Sequence, residues 1–245
     1  MMIKPALFSI FLVAISSQTA QADFEKDLQS CDYAKTAEEI QISACTRVIQ
    51  SGKLSNENLS HSMVRRGIAY TRMKQLTRAL ADFNKAIKLH PINAYAVHHR
   101  AFYFFKVHQY ESAIADYNLT IRLEPDNARA LLYRGYIYRK MGQLDRALKD
   151  LKKAIRLKPN YTIALINLAF IFENKGQFNR AIDYFTEAIE SDSNFGISYF
   201  GRALILEKTG RQEDAIRDYK RAYELGLRDQ ILIDRLTAFG AILKG

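Results

Sequence analysis

The side chains that could do chemistry are few and scattered along the chain. Two histidines on one helix share a metal when they stand at i and i+4, on one face. His98 and His99 are adjacent on a predicted helix and point in different directions, so they read as ordinary groove or surface histidines. Asp192-Ser-Asn194 opens like a calcium loop, but no full D-x-[DN]-x-[DN]-G pattern follows and an interhelix turn is the better reading. No G-x-S-x-G, H-E-x-x-H, G-x-x-x-x-G-K-[ST] or G-x-G-x-x-G string is present. The sequons at Asn58, Asn118 and Asn160 would matter only in a eukaryotic secretory pathway, and Asn118 falls inside a predicted helix. The residues therefore call for no metal and no cofactor, and nothing in them argues for an enzyme.

Charge is the second kind of chemistry on offer. Arg66, Arg100, Arg134 and Arg202 are each followed sixteen residues later by Asp82, Asp116, Asp150 and Asp218. At the one place where the Arg is missing the Asp is missing too, leaving Leu168 and Tyr184. That joint loss predicts an ion pair between two helices, because one partner alone would be an uncompensated, partly buried charge. Independent solvated residues are the alternative. The chain carries a formal charge of +10. Basic residues also gather at helical spacing, Arg146, Lys149, Lys153 and Arg156 in one stretch and Arg78, Lys85 and Lys88 in another. Such stripes are either a solubilising face or a contact for anionic envelope polymers or acidic proteins.

What must position these groups is read from composition and period. With 48% hydrophobic and 25% charged residues, the chain is neither disordered nor collagen-like. Eleven Gly and four Pro are too few for the turns of an all-β protein, so helix is favoured. Pro91, Pro125 and Pro159 are 34 residues apart, and Ala79, Ala113, Ala147, Ala181 and Ala215 keep that interval. So do the small residues Gly67, Ala101, Gly135, Ala169 and Ala203, and the large ones Phe83, Tyr117, Leu151, Phe185 and Tyr219. Inside each copy the apolar spacing is helical, as in Leu80, Phe83 and Ile87, and Gly142, Gly176 and Gly210 fall where one helix must end. Each copy is thus a helix, a tight turn and a helix. One hairpin cannot bury its apolar face alone, so the copies must stack.

At the N-terminus, Lys4 precedes the apolar run Pro5–Ile15, and Ala20-Gln21-Ala22 gives an A-x-A cleavage pattern. Residues 1–22 are expected to be a secretory signal, with a mature chain from Asp23 in the periplasm or secreted. A permanent anchor is the weaker reading, because the run is shorter than a bilayer needs. Export also counts against nucleic acid as the partner of the positive charge. Cys31 lies too far past the cut to carry a lipid, and with Cys45 it makes an even count outside the cytosol, which favours a disulfide over two buried thiols.

The columns of small residue, aromatic, Ala, aromatic and closing Pro resemble the tetratricopeptide repeat. The resemblance covers 60–93, 94–127, 128–161, 162–195 and 196–229, although Met63, Val97, Leu131, Leu165 and Tyr199 replace the family's Trp and Ser193 and Leu227 replace its last two prolines. It implies an all-α, right-handed α-solenoid of about five hairpins. Residues 23–59 read as an N-terminal cap with a degenerate half-repeat, in which Thr36–Glu39 is a capping box opening a helix to about Gln50. The stretch Ala44–Leu54 is similar to the segment preceding the repeats of some exported bacterial members. Residues 230–245 read as a capping helix with Leu232, Leu236, Phe239 and Leu243 over the open end. The same helix, through Ile231, Leu232, Leu236, Phe239 and Ile242, could instead dock on a second copy and make a homo-oligomer.

In this family the first helix of each hairpin lines a groove that takes extended peptides. Carried onto this chain, that groove presents Tyr95, His98, His99, Phe102, Phe105 and Lys106 from one copy. The next supplies Arg129, Leu132, Tyr133, Tyr136, Arg139 and Lys140, and the one after it Ile166, Asn167 and Phe170. Aromatic anchors beside basic residues suit an extended, acidic protein segment or a partner helix, unless these aromatics pack between repeats instead. The Lys and Asn with which one subfamily grips chaperone tails are absent: Val64 and Ile68, His98 and Phe102, or Leu132 and Tyr136 stand there. The resemblance implies a non-catalytic interaction scaffold of the bacterial envelope, with an adaptor for peptidoglycan-modifying enzymes and a self-assembling subunit as alternatives.

Overall fold

The computed structural model describes residues 5–32 and 37–241, with only the backbone of 5–18. Lys4, Thr36, Ile242 and Leu243 lie outside the described residues, as do the side chains of the apolar run. The described residues are all helix and connection, with no strand. They divide into two compact units, residues 1–124 and 125–245. The first contains α1 (Pro5–Asp32), α2 (Glu38–Gln50), α3 (Asn56–Arg72), α4 (Leu76–Leu89), α5 (Ala94–Lys106) and α6 (Tyr110–Leu123). The second contains α7 (Ala128–Lys140), α8 (Leu144–Leu157), α9 (Thr162–Asn174), α10 (Phe178–Ser191), α11 (Gly196–Lys208), α12 (Gln212–Glu224) and α13 (Gln230–Ala238). Within each unit every helix packs on the next, which is the stacked-hairpin α-solenoid class.

The turn inside each hairpin follows from one backbone requirement. Gly142 has φ +73° and donates to the Arg139 carbonyl, while Gln143 donates to the Tyr138 carbonyl. This pair of bonds stops the helix with a left-handed residue, a conformation glycine adopts without a Cβ penalty. The same position in the first two copies is Lys74 and His108, both at φ 60°, so these hairpins turn identically with the wrong residue for the job.

Packing explains the small-residue columns. A Cβ on Gly67 would lie 2.7 Å from the Phe83 ring, and one on Gly135 would lie 2.9 Å from Leu151. Ala79, Ala113, Ala147, Ala181 and Ala215 are fully buried, as are Tyr117, Leu151, Phe185 and Tyr219 behind them.

The Arg and Asp columns meet as expected. Arg66 grips Asp82, Arg100 grips Asp116, Arg134 grips Asp150 and Arg202 grips Asp218, each through two bonds of 2.6–2.9 Å. A third bond runs sideways to the preceding hairpin, from Arg100 to Asn84 and from Arg202 to Thr186. In the fourth copy Leu168 is buried instead and Tyr184 stacks on Phe172 at 5.2 Å.

Both flanks are helical. The last turns of α1 and all of α2 form a further hairpin, joined by the Cys31–Cys45 disulfide and by Arg47 on Asp27. The capping-box helix begins at Glu38, with Ala37 before it making no side-chain cap. At the other end Leu232 and Leu236 are fully buried, Phe239 stacks on Tyr219 at 6.3 Å, and Ile231 is exposed.

Candidate functional site

The candidate surface residues sit on α5 in the first unit and on α7 and α9 in the second. On α5, His98 is buried and meets the Tyr117 ring edge-on at 5.7 Å. His99 meets Tyr95 edge-on at 4.4 Å, and Tyr95 in turn stacks on His61 at 5.5 Å. Burial and the Arg65 cation together push the His61 pKa below the ordinary histidine value, against the opposing pull of Asp32. Phe102 lies 6.0 Å from Phe105, with the exposed Lys106 ammonium 5.8 Å above the Phe102 ring. These rings pack on one another rather than converge on a point. Among the described residues no group of three or more His, Cys, Asp or Glu could hold a metal ion.

In the second unit, Leu132, Ile166 and Asn167 are buried and Tyr133, Tyr136, Arg139 and Phe170 are partly exposed. Arg139 is the centre of this group. Its guanidinium lies 5.3 Å from the Tyr136 ring centroid and 5.1 Å from that of Phe170, held between two aromatic faces. Its Nε donates to Asn167 Oδ1 at 2.9 Å. Asn167 is itself fixed, because its Nδ2 donates 2.7 Å to the Ile163 carbonyl one turn earlier. Burial pulls the Arg139 pKa below its ordinary value, only partly offset by Tyr136 and Glu173. The cation persists at neutral pH, but it is partly desolvated. No carboxylate among the described residues lies within ion-pair distance of Arg139, and its two terminal nitrogens form no hydrogen bond with them. Held by Asn167 and two rings, and influenced by Glu173 only from beyond ion-pair distance, this fork fits a carboxylate.

The surroundings extend the positive, aromatic character. Lys140 is exposed, 5.8 Å from the Tyr136 ring, and Arg129 is exposed beside Tyr133 and Tyr161. Burial raises both phenol pKa values and Arg129 partly counters it, so both rings stay neutral donors. Tyr161 was not among the expected groove residues, and neither was the bond that joins Arg139 to Asn167, 28 residues apart. Their signal in the sequence was faint: residues at different positions of successive copies become neighbours only when the copies stack.

The basic stripes lie on the second helices. In the first unit Arg78, Lys85 and Lys88 are exposed, with Arg78 bonded to Gln75. On α8, Arg146, Lys149 and Arg156 are exposed, whereas Lys153 is partly covered and reaches the Pro125 carbonyl and Asp126.

Models of the tetratricopeptide repeat match residues 61–91, 128–161 and 166–227. Among solved structures, the chain is similar to YrrB, a TPR protein with an unusual peptide-binding site, at 21% identity and TM-score 0.62, covering 81% of this chain and 99% of that one. It resembles PilF of Pseudomonas aeruginosa at 19% identity and TM-score 0.69, over 76% of this chain and 87% of the other. A tetratricopeptide repeat protein from Parabacteroides merdae matches 88% of this chain and 98% of its own at 19% identity and TM-score 0.65. No curated protein matches the chain.

Proposed function

Because the chain belongs to the tetratricopeptide repeat family, whose fold serves protein–protein interaction and whose members are generally non-catalytic, we propose that it is an interaction scaffold of the bacterial cell envelope. Its second unit holds an extended protein segment bearing a carboxylate on the face of α7 and α9. The observation that carries this reading is Arg139, a partly desolvated guanidinium fixed by Asn167, framed by Tyr136 and Phe170 and with no carboxylate among the described residues within ion-pair distance. A bound Asp, Glu or C-terminal carboxylate gives the fork two charge-assisted bonds while Tyr136 and Phe170 cover the neighbouring side chains.

Export is supported by the A-x-A pattern at Ala20–Ala22 and by the Cys31–Cys45 disulfide, a bond that persists in oxidising compartments. The exposed cations of α8 keep contact with anionic polymer as the second reading.

The test is fluorescence anisotropy with extended peptides that differ only in one Asp or Asn. The Asp peptides should bind at least about tenfold more tightly, as expected for one lost charge-assisted bond pair. Arg139→Gln should erase that difference while leaving helical content unchanged. Equal binding of Asp and Asn peptides would remove the carboxylate reading. The N-terminus of the exported product, read by mass spectrometry, should be Asp23.

A further inference from the structure

The outer helices of the third and fourth hairpins, α8 and α10, carry opposite charge at equal positions of the repeat. Lys149 corresponds to Asp183, Lys153 to Glu187 and Arg156 to Glu190, each pair one 34-residue period apart. All but Lys153 are exposed, and Lys153 is tied only to the backbone of Pro125 and to the exposed Asp126. Among the described residues none of the three acids, nor Lys149 or Arg156, has an ion-pair partner within 4 Å, so five of the six charges are displayed and Lys153 alone is paired, with Asp126. The acidic face even works against itself, since burial together with Glu190 and Asp183 raises the Glu187 pKa and no cation offsets it.

We propose that this face is a self-complementary docking surface for a second copy of the chain, α8 of each copy lying against α10 of the other. The geometry follows from the repeat. Equal positions in successive hairpins stand at matching heights, and α8 and α10 run in the same direction. A two-fold axis in the plane of contact, parallel to these helices and midway between them, preserves height and exchanges one helix for the other. It therefore sets Lys149 against Asp183, Lys153 against Glu187 and Arg156 against Glu190 of the second copy, and the same three pairs again in reverse. The neighbouring axis, between α10 and α12, is worse. There Arg217 and Arg221 would meet Asp183 and Glu187, but Glu224 would meet Glu190. The like pair that the favoured axis creates, Arg146 against Arg180, is relieved because each is folded back on its own turn, onto Gln143 and Gln177.

Two helices of 14 residues are each about 21 Å long, so they offer only a few hundred Å² per partner, below the roughly 800 Å² of a standard stable interface. The association is accordingly weak, rapid and salt-dependent. It uses α8 and α10 and leaves the Arg139 face unaltered, so it stands independently of the proposed peptide site.

Sedimentation velocity on the full chain tests it, at about 20 mM and about 300 mM salt, between which the Debye length falls from about 20 Å to about 6 Å. A dimer should form in low salt, and its dissociation constant should rise at least about tenfold in high salt. Lys149→Glu with Lys153→Glu and Arg156→Glu should abolish it, and so should Asp183→Lys with Glu187→Lys and Glu190→Lys. Mixing the two triple variants should restore a dimer, now between unlike chains. If either triple variant loses helical content, the single pair Lys149→Glu and Asp183→Lys replaces them with the same expected pattern at smaller amplitude. A monomer at low salt, polyanion binding without self-association, association indifferent to salt and to charge reversal, or variants that ignore each other would overturn the proposal.

Discussion

Writing the fourth hairpin's solution into the fifth tests how the ion-pair ladder works. Arg202 bonds Asp218 at 2.6 and 2.9 Å and Thr186 at 3.0 Å, with side-chain exposures of 21% for the Arg and 8% for the Asp. Arg202→Leu leaves a nearly buried carboxylate with no counter-charge, and losing one partner of a buried pair costs about 3–5 kcal/mol. Asp218→Tyr costs less, about 2 kcal/mol, because the guanidinium keeps Thr186 and some water. The double variant reproduces Leu168 and Tyr184 of the fourth copy, where the Leu is buried and the Tyr stacks on Phe172. It should lose no more than about 1 kcal/mol, as apolar replacement of both partners is often neutral. The assay is urea unfolding followed by circular dichroism, with amide exchange in α11 and α12 as a local readout, since repeat arrays need not unfold in one step. Additive costs, with the double variant losing about 5 kcal/mol or more, would show that Arg202 and Asp218 act separately and not as a pair.

Three further outcomes follow from single residues. His108→Gly removes a left-handed non-glycine and should stabilise the first unit by about 0.5–1 kcal/mol in thermal unfolding, whereas Gly142→Ala should cost the second unit about 1 kcal/mol. An added Cβ at Gly142 meets nothing within 4 Å, so its effect is purely a backbone one. Tyr219 is buried and donates to Glu207 at 2.6 Å, and both effects raise its pKa above the unfolded value. The unfolded chain therefore loses this proton first, so stability falls as pH climbs above about 10, and Tyr219→Phe should flatten that alkaline loss in a pH-dependent melt. Cys45→Ser opens a crosslink between residues 14 apart and should destabilise the first unit by about 3 kcal/mol in the chain-entropy account, measured by urea unfolding.

The repeating part of the fold was legible because its constraints recur: small residues where rings cross, left-handed turns at fixed intervals, Arg and Asp gained and lost together. What the period could not convey was contact between unlike positions. Leu132, Ile166 and His98 belong to the face that the resemblance assigns to the groove, yet all three are buried, Ile166 in the cluster with Phe172 and Phe185 and His98 against Tyr117. Asn167 is buried as well, but as the residue that aims Arg139. The left-handed turns at Lys74 and His108 were hidden for the opposite reason, since neither residue type announces a positive φ and only the hairpin around it imposes one. From the sequence of α2 alone the N-terminal flank reads as half a repeat. Its other helix is the end of α1, whose sequence is dominated by the export signature.

Carboxylate binding at Arg139 is the event on which the proposed function turns. Nitrogen-15 NMR of the arginine side chains reads that event directly during titration with an Asp-bearing extended peptide and its Asn counterpart. The Arg139 Nη signals should shift and sharpen with the Asp peptide alone, and Asn167→Ala should weaken the response. Unmoved Arg139 signals under saturating Asp peptide, or equal shifts with both peptides, would contradict it.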